Sequence, residues 1–293
     1  LASIVYKTSV SLRGEYWQAG INMANKHPLT GVGMDSYGDW YRRSSDAQAM
    51  ILTGPNTVTN AAHNVFIDIL AYGGYPLFIA YLTLIMMSLI AAIKLTFIQK
   101  EFNFVKVGLI ITWICYNVQA LISINQIGLA VWGWVSGGAL IAYERSTRNT
   151  DTGSGASPRK SLRTNPLISP QLLAGLGMVV GILIAIPPLS GDIKWREALK
   201  AQNADLVNAA LTPGYMNPSS SNLYMNATSI FEQNTLPALA YKYGKLNVEY
   251  NPQNFDAWRM LYALKNSTPE DRKLAKEKMI ELDPLNDEWK KLP

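Results

Sequence analysis

YPLFIAYLTLIMMSLIAAIKLTF, residues 75–97, contains a single charge, Lys94, close to its end. A helix needs about 20 predominantly apolar residues to cross a hydrocarbon core, and this stretch supplies them. Pro76 falls in its first turn, where a missing N–H costs little. Three further runs repeat the pattern. Residues 105–122 carry Lys106 at the edge, where its stem can reach back to the interface. Residues 127–143 contain Trp132 and Trp134 among Gly133, Gly137 and Gly138, small residues that let helices approach closely in lipid. Residues 172–186 are closed by Pro187-Pro188. One such run would suit a buried helix of a large soluble protein; four in just over a hundred residues do not.

Composition points the same way. The chain is 48% hydrophobic and 16% charged, whereas soluble domains carry about a quarter charged residues. A mean hydropathy of +0.04 fits a chain divided between membrane and water. The net charge of +5 suits basic membrane loops. No lysine–arginine stripe with interleaved aromatics accompanies it, so nucleic acid is not an expected partner. Cys115 is the sole cysteine, and His27 and His63 are the only histidines. That excludes an internal disulfide and argues against a zinc site; no metal or cofactor is expected. A start at Leu1 without a signal-like segment reads as a fragment or a processed chain.

The loops set an expected orientation. Residues 144–169 hold Arg145, Arg148, Arg159, Lys160 and Arg163 against Glu144 and Asp151, while the Ser123–Gln126 turn is uncharged. Positive residues near span ends favour the cytoplasm. The expected architecture is therefore all-α, a polytopic bundle with four spans in this stretch. Residues 1–72 form an outer-face loop, 73–143 three spans, 144–169 a flexible basic cytoplasmic linker rich in Ser, Thr and Gly, and 170–188 the fourth span. Residues 189–293 return to the outer face.

That last segment is polar and weakly repetitive. Asn251-Pro-Gln-Asn254 recurs as Asp283-Pro-Leu-Asn286, an offset of 32. Thr268 is an N-cap candidate, Pro269 suits the first helical position, and Glu270 and Asp271 complement the helix dipole. The unit approaches tetratricopeptide length, about 34 residues. A TPR-like domain would offer a protein-partner surface; a helical cap with no partner reads equally well.

The chemistry-bearing residues cluster in the first segment. Ser11-Leu12-Arg13 precedes Trp17; then come His27-Pro-Leu-Thr-Gly-Val-Gly33, and His63-Asn64-Val-Phe-Ile-Asp68 followed by Gly73-Gly74. Arg13 offers a planar fork that can hold phosphate. Asn64 suits the N-cap of a helix starting at Val65, with Asp68 near its first turn. An imidazole at His63, in its neutral form, is the kind of group a general base must be. Arg42 and Arg43 are candidates for phosphate contact, and Tyr41 for stacking on sugar. Asp35, Asp39 and Asp46 read as loop charges.

The arginine ahead of a tryptophan, then HPLTGVG, then HN before an apolar run and a glycine pair resembles the O-antigen ligase and O-antigen polymerase family over about residues 10–143. The resemblance implies a metal-independent glycosyltransferase of the bacterial inner membrane. Its donor would be a glycan on undecaprenyl pyrophosphate, its acceptor a hydroxyl of a glycan, lipid or protein. By the same resemblance His63 would deprotonate or orient that hydroxyl and Arg13 would bind the diphosphate, with Asn64, Arg42, Arg43 and Tyr41 around the substrate. A further family arginine would lie upstream, so this stretch alone would be inactive. Two alternatives stand: a transporter, disfavoured because the spans hold only edge lysines, and a membrane-anchored scaffold.

Overall fold

The computed structural model describes residues 8–97, 102–148 and 169–293. Among them are twelve α-helices and no β-strand. They fall into two compact units. Most of the basic linker expected at 144–169 lies outside the described residues.

The first unit opens with α1 (Thr8–Lys26), then the short helices α2 (Tyr37–Ser44) and α3 (Ala47–Thr53). Three long apolar helices follow: α4 (Val65–Phe97), α5 (Phe104–Ala120) and α6 (Ile127–Arg148). Helix α4 begins ten residues before the expected span and is broken at Gly74 (φ 65°). The part ahead of the break packs on α1, while the part beyond it packs on α6 and more lightly on α5. Gly137 on α6 makes room for α4, and Gly133 for α5. A Cβ at Gly133 would stand 2.3 Å from the Tyr116 ring, and one at Gly137 2.9 Å from Ser88 Oγ. Gly138 faces open space. Lys94 pairs with Glu144 at 3.9 Å across α4 and α6. Lys106 lies at the edge expected of it, at the start of α5, and is buried there.

The second unit starts with α7 (Pro170–Ala201). Ser169 caps it, accepting from the Leu172 amide. Residues 171–186 are exposed throughout, an apolar surface that water does not tolerate on this scale. Pro187-Pro188 was expected to end this helix, but α7 runs through the pair. Residues beyond the prolines explain this, because Trp195 and Ala198 are buried in the unit's core and tether the helix there. Packing overrides propensity.

Five helices complete the unit: α8 (Ala204–Leu211), α9 (Ser221–Gln233), α10 (Pro237–Tyr250), α11 (Phe255–Ala263) and α12 (Pro269–Leu282). They pack as successive pairs, α7 with α8, α9 with α10 and α11 with α12. Tyr224, Phe231, Tyr243, Trp258, Leu261 and Met279 form the common core. Both copies of the turn repeat bind an indole N–H: Trp258 donates to Pro252 O (2.9 Å) and Trp289 to Asp283 Oδ2 (2.7 Å). Thr268 caps α12 in a full capping box with Asp271.

By length and apolarity, α4 and α7 are each sufficient to cross a membrane; α5 is apolar but shorter.

Candidate active site

Backbone hydrogen bonds lock the loop at 28–33 to α4. The Val32 and Gly33 amides donate to Ala71 O (2.9 Å) and Tyr72 O (3.0 Å), and the Tyr75 amide donates to Pro28 O (2.9 Å). Breaking α4 at Gly74 frees the Ala71 and Tyr72 carbonyls for this use. The approach leaves no room for side chains. A Cβ on Gly31 would lie 2.4 Å from the Ala71 and Tyr72 backbone, and one on Gly74 2.4 Å from Pro28 O. Both glycines have positive φ, where L side chains are strained. HPLTGVG and Gly73-Gly74 are thus two halves of one joint.

Around that joint α1, α2 and the start of α4 share a small core of Ala19, Met23, Tyr37, Tyr41, Ala62 and Ala71. His63 stands at its edge, half-buried, in the left-handed region (φ 56°). A non-glycine residue held there is uncommon and gathers at functional sites. Its ring lies 5.9 Å from that of Tyr16 on α1. Arg13, also half-buried, precedes Tyr16 by three residues, and so shares its helix face one turn away. Tyr16 is the hub: the Tyr37 hydroxyl donates to its carbonyl, and the Tyr41 ring meets its ring edge-on at 5.8 Å.

Asn64 takes the capping position. Its Oδ1 accepts from the Phe66 amide (3.0 Å) and the Ile67 amide (3.3 Å), and the residue is buried. Tyr41 is only 2% exposed, so its ring packs the interior of the loop instead of offering a face to sugar. Arg42 reaches Pro55 O (3.4 Å). The Arg43 guanidinium lies 3.6 Å over the Trp40 ring and donates to Asp39 O (3.3 Å), while Arg43 O accepts from Lys26 Nζ (3.1 Å). Both arginines therefore tie the loop together at the end of α2. The His27 ring packs edge-on against Trp40 at 4.7 Å.

The sequence places Asp68 near the first turn of α4 but assigns no site role to it or to Tyr16. Asp68 lies ahead of the break in α4, outside the segment read as crossing the membrane, and is 2% exposed. Burial pushes its carboxyl up to about 6, against the opposing pull of the Ala62 amide that donates to it. Burial also raises the phenols of Tyr37 and Tyr72, and in each the nearby Asp68 charge adds to the rise. A carboxylate among apolar residues four places after Asn64 was the available signal. Among the described residues no three His, Cys, Asp or Glu side chains gather as a metal site would require.

No curated protein and no solved structure matches the chain. Residues 5–82 match the family model of the O-antigen ligase, a shorter stretch than the 10–143 over which the motifs suggested resemblance. That stretch holds α1, the glycine joint, His63 and the break in α4. The segment that carries Arg13 and His63 is thus similar to the O-antigen ligase family over residues 5–82.

Proposed function

We propose that this chain carries catalytic residues of a membrane transferase that moves a glycan from undecaprenyl pyrophosphate to an acceptor hydroxyl, without a metal. In this reading the His63 imidazole takes the hydroxyl proton as the acceptor oxygen bonds to the sugar carbon. The bond from that carbon to the diphosphate breaks, and the diphosphate leaves with the bonding pair. Its developing charge needs cationic donors rather than an acid, and Arg13 supplies one. Arg42 and Arg43 remain candidates for binding the donor at the loop's other end. Asn64 contributes by fixing the helix start behind His63, and Tyr41 by packing against the Tyr16 ring.

The observation that carries the reading is the left-handed, half-buried His63 against the face of α1 that bears Arg13. The family match over residues 5–82 supports the reaction class. The exposed apolar surface of α7 and the length of α4 support a lipid setting. The four apolar runs favour four spans, and the basic loops favour the site and residues 189–293 on the periplasmic side of the inner membrane. The paired helices of the second unit support a TPR-like domain that binds a protein partner.

Replacing the native gene by His63→Ala tests this. The variant reaches the membrane at the normal level, the transferred glycan is lost, and the lipid-linked donor accumulates. Normal glycan transfer by the variant overturns the assignment.

A further inference from the structure

The hydrogen bonds of the 59–68 turn run around His63. Thr59 Oγ1 donates to Ala61 O (2.8 Å), and Asn64 Oδ1 accepts from the first amides of α4 (3.0 and 3.3 Å). Between these anchors, the Ala62 amide donates to Asp68 Oδ1 at 2.7 Å. Asp68 stands on the first turns of α4, whose backbone the glycine joint in turn fixes. The carboxylate is almost entirely out of solvent, and a buried charged acceptor is held there only when it is used. What it holds is the Ala61–Ala62 peptide group, one residue ahead of His63, the residue with the strained backbone.

We propose that Asp68 is the positioning residue of this site: it clamps the Ala62 amide from α4, and so fixes the left-handed turn that presents the His63 imidazole beside α1. This rests on the reading of His63 as the base. A flexible turn would let that residue relax out of the left-handed region, since the conformation persists only where its surroundings enforce it. Placement of a base to within a fraction of an ångström governs turnover more than substrate affinity. What matters in Asp68 is the oxygen and its place, not the charge. Asparagine keeps an acceptor at the same reach, glutamate moves it out by one methylene, and alanine removes it.

The test uses the full-length protein in membranes, with its lipid-linked donor and acceptor, measuring kcat and donor KM for Asp68→Asn, Asp68→Glu, Asp68→Ala and His63→Ala. The expected order of kcat is wild type, Asn, Glu, Ala. Asn stays within about fivefold of wild type and Ala loses about 10²-fold, with donor KM changed less than about threefold throughout. A generally loosened fold would move KM and membrane level together with kcat. If Asp68→Ala does not accumulate, the Asn and Glu variants decide alone: activity in Glu with none in Asn makes the charge essential and overturns the proposal. Wild-type kcat in Asp68→Ala while His63→Ala is dead overturns the clamp and leaves the base intact. Full activity in His63→Ala overturns the reading on which the clamp rests.

Discussion

At the scale of single residues, the site depends on positions where only one side chain, or none, fits. Gly74 is the clearest: a Cβ there meets Pro28 O at 2.4 Å while φ is 65°. Gly74→Ala is expected to cost well over 1 kcal/mol, since both the backbone conformation and the contact oppose it. Gly138→Ala, in open space, is the control. The measurement is the thermal midpoint of the detergent-purified protein, which drops for the first and stays put for the second; equal midpoints would remove the joint from the account. The residues of this joint were legible from sequence as a turn and a glycine pair, but not as partners, because 40-odd residues separate them and only the folded backbone brings them together. Motif spacing singles out His63 and Arg13, but not Tyr16, whose ring lies beside that of His63. The role of Asp68 was not legible: nothing local says that a carboxylate will turn back to the amide six residues earlier. Tyr41 reads as a sugar-stacking ring until burial shows it occupied by packing.

Among the helices, caps were the readable part and proline the misleading one. Thr268, Pro269 and Asp271 fall on the positions of α12 that their chemistry predicts. Pro187-Pro188 reads as a stop, yet α7 continues because Trp195 and Ala198 are fastened in the core beyond it. Asp271 also joins α12 to α10. Burial raises its carboxyl, but bonds from Lys245 (2.6 Å), Tyr241 (2.5 Å) and Thr268 outweigh burial and hold it down to about 2. A depressed carboxyl contributes stability that is complete above its ordinary value near 3.8 and is lost as pH falls toward 2. The wild type should therefore melt above Asp271→Asn at neutral pH, with the gap closing between about pH 4 and pH 2. A gap unchanged over that range would mean that the charge on Asp271 contributes nothing.

At the scale of the whole molecule, apolar helices were readable from composition and length, because lipid demands both. Their start and end points were less so: α4 begins ahead of the apolar run 75–97, with Asp68 on its first turns, and α7 continues past the apolar residues 171–186 to Trp195 and Ala198 in the core. The pairing of helices in that unit was only hinted at by the Asn-Pro and Asp-Pro repeat, since its core draws on residues from Trp195 to Leu282. The central claim is that the α1 face bearing Arg13 and the turn bearing His63 form one reaction centre for a polyprenyl diphosphate sugar. Steady-state kinetics of the purified full-length protein test it most directly, comparing wild type with His63→Ala and Arg13→Ala. The account predicts that His63→Ala lowers kcat by about 10²–10⁴ with donor KM little changed, while Arg13→Ala weakens donor binding as well as turnover. Transfer by His63→Ala at the wild-type rate would contradict it.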